Sequence, residues 1–191
     1  MSFFPEGYTP SQGGGTDYTK LPEGTTRLRV VYEQMLMGWS YWDTNNKCHR
    51  FPFDKKPTST PGIKDGEKLK ELYALGVYNY DTKRLEVWEI TQATIKQQLF
   101  DYWHNEEYGK FTGYGLSIKR TGSGLKTEYG VVAGVPKPLP AEIQALADAK
   151  PINLQALIDG GNPFDSQPKP GAAPTAEQTQ TQAADDSDLP F

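Results

Sequence analysis

The residues able to do covalent chemistry are few. The chain holds two histidines, His49 and His104, and one cysteine, Cys48. Neither histidine has a carboxylate and a nucleophile arranged beside it in sequence, as an activated nucleophile requires. Cys48 and His49 are adjacent, so on a strand they point to opposite faces and make a poor ligand pair; zinc would need a carboxylate to complete its ligand set. Gly13-Gly14-Gly15 opens no helix and no Gly-Lys-Thr follows a strand, so no phosphate-binding loop is read. Glu106-Glu107 reads as a solvated helix end. No catalytic residue, metal or cofactor is expected.

The other chemistry available is non-covalent. Aromatic residues make up 12% of the chain, many of them interleaved with bases. Single-stranded nucleic acid is held by aromatic faces that stack on bases and by cations that follow the phosphates, about 1–3 kcal/mol per stacked base. The stacking candidates are Trp39, Tyr41, Trp42, Tyr78 and Tyr80; the phosphate candidates are Arg27, Arg29, Lys47, Arg50, Lys119 and Arg120. Tyr78 and Tyr80 fall on a strand face shared with Ala74 and Gly76, small residues that would let a nucleic-acid strand approach. Tyr73, Ile95, Leu99 and Tyr102 are assigned to the core, and Trp88 is left open.

A second constellation is Asp185-Asp186-Ser187-Asp188-Leu189-Pro190-Phe191, three acids before an apolar end. A ring for a pocket and a carboxylate for a base suit the capture of a chain terminus by a partner. From Gly161 onward five acids stand against one base, Lys169, whereas the preceding 160 residues carry nineteen of each sign. The net charge of −4 therefore belongs to the tail.

The elements that must position these residues read mainly as strands. Residues 1–19, with two prolines and three consecutive glycines, are expected to be a flexible arm. Alternation from Thr25 to Tyr32 gives a first strand, Gly38 a bulge or bend, and Trp39–Trp42 a second strand. Asp43–Lys47 is a polar turn and residues 52–68 a long loop. Leu72–Tyr80 and Leu85–Ile90 form a hairpin; Thr91 caps a helix over residues 92–107 that Gly109 ends. Gly115–Lys119 and Thr127–Val132 are the last strands. Ala141–Ala149 and Asn153–Asp159 are short helices. From residue 162 the Pro, Ala, Gln and Thr bias leaves no means of forming a core, so a disordered tail is expected. The domain reading is an arm at 1–19, a folded domain at 20–138, helical segments at 139–161 and an acidic tail at 162–191. Short strands, glycine-rich turns and one helix before the last strand pair describe a small barrel.

One cysteine excludes an intrachain disulfide and suits a reducing compartment. No run approaches the roughly 20 apolar residues of a membrane span, so a cytoplasmic protein is expected.

Lys20-Leu21-Pro22-Glu23-Gly24 with Arg27-Leu28-Arg29-Val30, then Gly38-Trp39-Ser40-Tyr41-Trp42, resembles the opening of phage-encoded single-stranded DNA-binding proteins. Glu86–Gln92 is similar to their strand-to-helix junction, and Gly113-Tyr114, Leu116–Ile118 and Gly124–Thr127 to their closing hairpin. The likeness spans about residues 20–135, and the acidic tip is similar to that of bacterial single-stranded DNA-binding proteins. It implies an OB-fold, a five-stranded Greek-key barrel with one main helix and additional hairpin elements. It also implies sequence-tolerant coating of single-stranded DNA in replication, recombination and repair in an infected bacterium, with partners recruited through Asp185, Asp186, Asp188, Leu189, Pro190 and Phe191. Self-association is left open. The rival expectations are a recombination annealing protein and an interaction adaptor that never touches nucleic acid.

Overall fold

The computed structural model describes residues 17–165; most of the expected arm, and the tail with its Asp185–Phe191 tip, lie outside the described residues. The architecture is mainly β. Six strands, β1 (Gly24–Trp42), β2 (Cys48–Pro52), β3 (Lys70–Asn79), β4 (Arg84–Ile90), β5 (Gly115–Thr121) and β6 (Glu128–Ala133), form one antiparallel sheet. The order is β4-β3-β1-β5-β6, with β2 as a further partner of β1. Helices α1 (Ala93–Trp103), α2 (Ala141–Ala149) and the four-residue α3 (Ala156–Asp159) complete it.

β1 is one strand, where the sequence suggested two with a bend at Gly38. The irregularity lies earlier. Leu28–Val30 pairs with Val77–Asn79 and Met35–Ser40 with Lys70–Leu75, so four β1 residues, Val31 to Gln34, stand opposite Gly76 alone. Such an excess bends the long strand and re-aims its side chains. Gly38 serves a different need: a Cβ there would overlap the Phe51 carbonyl oxygen of β2.

Alternation along the strands divides the apolar residues between two cores. Leu28, Val30, Leu75, Val77, Trp88, Ile90, Leu116 and Ile118 meet Ile95 and Leu99 of α1. On the opposite face Val31, Ala74, Leu85 and Val87 meet Ile143, Ala147, Ile152, Leu154 and Leu157, so the C-terminal segment packs back on the sheet. Each large side chain removed from water contributes roughly 1.5–3 kcal/mol. α1 is shorter than the span 92–107 read from sequence: Gln92, not Thr91, is its N-cap, and His104 its C-cap. Asn105 ends it, because its backbone carbonyl accepts from Tyr108 and Gly109 and its side chain from the Glu107 amide.

Both outer edges of the sheet are covered. Residues 17–19 bond to both backbone groups of Val87 on β4, at 2.7 and 2.8 Å. On β6, Gln98 of α1 accepts from the Val131 amide at 2.7 Å and donates to the Tyr129 carbonyl, while the Tyr102 hydroxyl donates to the Val131 carbonyl. Satisfying the edge groups in this way removes a template for pairing with another chain. No ladder joins β4 to β6 among the described residues; α1 packs against β6, and its Lys96 reaches Glu71 of β3.

Candidate nucleic-acid interface

The second half of β1 and β2 form an arm, and Asp43 fastens its turn. One carboxylate oxygen accepts from the Asn45 and Lys47 amides, each at 2.9 Å, and the other meets His49 Nε2 at 2.9 Å. The His49 bond first, then the Lys47 amide, hold this carboxyl below the ordinary carboxylate range. The His49 ring stacks on Tyr41 at 4.9 Å, and Phe51 lies on the same ring at 6.0 Å.

Across the arm Trp39 stands opposite Phe51. Its indole donates to the Phe53 carbonyl at 3.0 Å and stacks on the Phe53 ring at 5.9 Å with 8° between planes. Lys56 Nζ sits 4.2 Å from the centre of the Trp39 ring. Phe53 is 47% exposed, and Trp42, on the other face, is 45% exposed. Between Asp43 and Lys70 the chain carries seven bases, Lys47, Arg50, Lys55, Lys56, Lys64, Lys68 and Lys70, against four acids. Open aromatic faces and excess cations therefore share one excursion of the chain.

The structure gathers Trp39, Trp42, Lys47 and Arg50 on this arm and places the remaining sequence candidates elsewhere or under cover. Arg50 is half-buried, and its guanidinium grips Glu89 of β4 at 2.7 and 3.1 Å. Burial works against its charge, but the Glu89 pair outweighs burial and holds the pKa above that of free arginine. Tyr41 is corrected as a stacking surface: it is buried, and its hydroxyl donates to the Pro61 carbonyl of the long loop.

Arg29 is likewise corrected as a surface cation. It is 0% exposed, and Nη2 donates to the Thr112 and Lys137 carbonyls at 2.8 and 2.6 Å. Burial lowers its pKa. Strand alternation suggested an open face for both arginines, but the segments around Thr112 and Lys137 fold over this one. Arg27 remains exposed, its side chain paired with Asp81 at 3.4 Å. Lys119 is exposed on β5; Arg120, half-buried, donates to the Leu21 carbonyl at 2.9 Å. In register these two stand opposite Thr25 and Gly24, at the far end of β1 from the arm.

Tyr78 and Tyr80 do share the face of Ala74 and Gly76, but that face is covered. Their rings meet edge to face at 5.2 Å and pack against the second core. The small residues make room for protein: a Cβ on Gly76 would overlap the Tyr32 ring, whose single O–H is shared between the Lys150 carbonyl at 2.9 Å and the Ala147 carbonyl at 3.1 Å. Trp88 is core, 0% exposed.

Phe53 and Lys56 were absent from the sequence candidates because they sit in the proline-rich loop. The signal was a Trp and a Phe on either side of a polar turn, with Phe53 two residues beyond Phe51, the register partner of Trp39. No family model, no curated protein and no solved structure matches this chain.

Proposed function

We propose that the chain binds single-stranded DNA without sequence preference, through the β1–β2 arm and the loop after it. The observation that carries this reading is the Phe53–Trp39–Lys56 arrangement: stacked rings with a cation on the indole face. A base has a π-face to offer that indole, and Lys56 need only swing from the ring to a phosphate to admit it. Lys47, Lys55 and Trp42 supply further charge and ring surface nearby in sequence.

The barrel-type OB reading draws support from the strand order β4-β3-β1-β5-β6, from the long bent first strand, and from the helix between β4 and β5. OB-folds bind oligonucleotides on a sheet face with the loops beside it. Here residues of the C-terminal segment cover the outer face of β3 and β4, which leaves the arm as the accessible part. The biological reading follows the resemblance to phage proteins: coating DNA in replication and recombination, with Asp185–Phe191 recruiting other proteins. No helix among the described residues is long and apolar enough to cross a membrane.

Titrating oligo-dT against tryptophan emission tests the reading. Quenching is expected, with affinity falling as salt rises at a log–log slope of about −0.7 per neutralised phosphate. Absence of quenching at every length, or affinity indifferent to salt, defeats it.

A further inference from the structure

A groove of ≈ 340 Å³ lies between the irregular part of β1, β3 and the last turn of α1, lined in part by Met35, Met37, Tyr73, Phe100, Trp103 and Phe111. We propose that its occupant is the chain's own N-terminal segment, with Phe3-Phe4-Pro5 laid into the groove as an intramolecular strap. This does not depend on the nucleic-acid reading, because the groove and the Trp39 site use different residues.

Met35 is 38%, Phe100 53% and Trp103 52% exposed around the groove, and a monomer rarely leaves large apolar side chains open together. The groove favours an uncharged occupant. Its lining holds one acid and one base, Glu33 and Lys110, and these pair with each other at 2.8 Å. A segment arriving with charges of its own loses hydration there and gains no partner. Phe3-Phe4-Pro5 carries no charged side chain. Its two rings suit the open faces of Phe100 and Trp103, and the methionines adapt their shape to what they meet. The acidic tip fits less well, because Phe191 would bring Asp185, Asp186 and Asp188 with it.

The segment also starts within reach. Asp17 and Thr19 are bonded to Val87 of β4, and Asp17 meets Arg84 at 3.8 Å. Val87 stands opposite Gly76 of β3, which in turn faces the β1 run that includes Glu33 of the groove wall. Leu75 and Tyr73 of the groove lie further along, level with Trp88 and Ile90. Two to three strand spacings across the sheet and about three residues along it make a span of about 20 Å. The 12 residues between Phe4 and Asp17 include four glycines, and a glycine-rich linker of this length has a root-mean-square span of about 20 Å as well. Effective concentration is highest at such a match and reaches the millimolar range. A contact too weak to hold a separate peptide is therefore filled within the chain, an advantage that the arm of a second copy lacks.

The test uses the full chain labelled with 5-fluorotryptophan, its four fluorine signals assigned by replacing each tryptophan singly with phenylalanine. Phe3→Ser with Phe4→Ser is expected to shift the Trp103 signal and to enlarge its solvent-isotope shift. The signals of Trp39, Trp42 and Trp88 should stay in place, and Trp88, 0% exposed, reports that the fold is intact. From the other side, Met35→Glu, at an exposed strand position, should speed chymotrypsin cleavage after Phe3 severalfold. A Trp103 signal indifferent to the arm variant, or cleavage after Phe3 equally fast in the parent and in Met35→Glu, overturns the proposal. A Trp103 signal that moves on deletion of Asp185–Phe191 assigns the groove to the tip, and one that reverts on tenfold dilution assigns it to a second copy; either result overturns it too. The oligo-dT titration of the unmodified chain is scored separately and decides the nucleic-acid reading alone.

Discussion

Arg27 and Arg29 are two residues apart on β1, yet their replacement by alanine should have very different consequences. Arg27 is exposed and holds Asp81 at 3.4 Å; an exposed pair of this kind contributes about 0–1 kcal/mol. Arg29 is 0% exposed and ties two separate backbone segments to β1 through Thr112 and Lys137. Removing it leaves two carbonyls without their donor, at roughly 1–3 kcal/mol for each that stays buried. Part of that loss is offset, because among the described residues Arg29 has no carboxylate partner and its Nε and Nη1 make no hydrogen bond. The expected net cost is about 2–4 kcal/mol, or roughly 4–16 °C in melting temperature for a domain of this size. Arg29→Met, which keeps most of the volume and deletes the uncompensated charge, should cost less than Arg29→Ala. Urea denaturation followed by circular dichroism measures all three variants. Arg29→Ala within about 0.5 kcal/mol of the parent, the scatter of ordinary surface substitutions, would refute the burial argument, as would equal losses for Arg27→Ala and Arg29→Ala.

Trp39→Ala should lower oligo-dT affinity by roughly 5- to 150-fold, the loss of one stacked base at about 1–3 kcal/mol; an unchanged titration with the urea midpoint preserved would remove the arm from the site. Gly38→Ala should destabilise by about 1–3 kcal/mol, because its Cβ meets the Phe51 carbonyl of the paired strand; calorimetry showing an unshifted transition would contradict that contact. Asp43 has a depressed pKa in the folded chain, so its contribution is present above the unfolded value near pH 3.9 and is lost as pH falls through the folded one. The stability gap between the parent and Asp43→Asn should therefore close in acid titrations below about pH 4, and a gap constant from pH 6 to pH 2 would count against the turn argument.

Much of the sheet was legible because its signals are local. The alternation from Leu72 to Tyr80 is a pattern within one strand, and it sorted Leu75 and Val77 from Ala74 and Tyr78 onto the two faces that form the two cores. The helix at Ala93–Trp103 declared itself through Ile95, Leu99 and Tyr102 in the same way. What alternation cannot report is what lies over a face. Leu28 and Arg29 alternate as a buried and an exposed residue should, but the segments carrying Thr112 and Lys137 are more than 80 residues away in sequence. Tyr41 was hidden for the same reason, by the chain around Pro61.

The covered face also explains why the candidate site lies on the arm. Ala74 and Gly76 are small on the face where Tyr78 and Tyr80 offer rings, a combination that reads equally as room for a nucleic-acid strand or room for protein. The run of four β1 residues opposite Gly76 decides between them: it includes Tyr32, which lies over Gly76 and reaches the backbone at Ala147 and Lys150. With that face filled by Ile143, Ala147, Ile152 and Leu157, opening it to a ligand would cost several buried side chains at roughly 1.5–3 kcal/mol each. Stacking one or two bases at about 1–3 kcal/mol each does not offset such a loss. The arm carries no comparable burden, since Trp42 and Phe53 are already half in solvent and Lys56 need only rotate away from Trp39. A ligand that gains only a few kcal/mol per contact goes where little has to be undone, and in this fold that is the hairpin Trp39–Phe53.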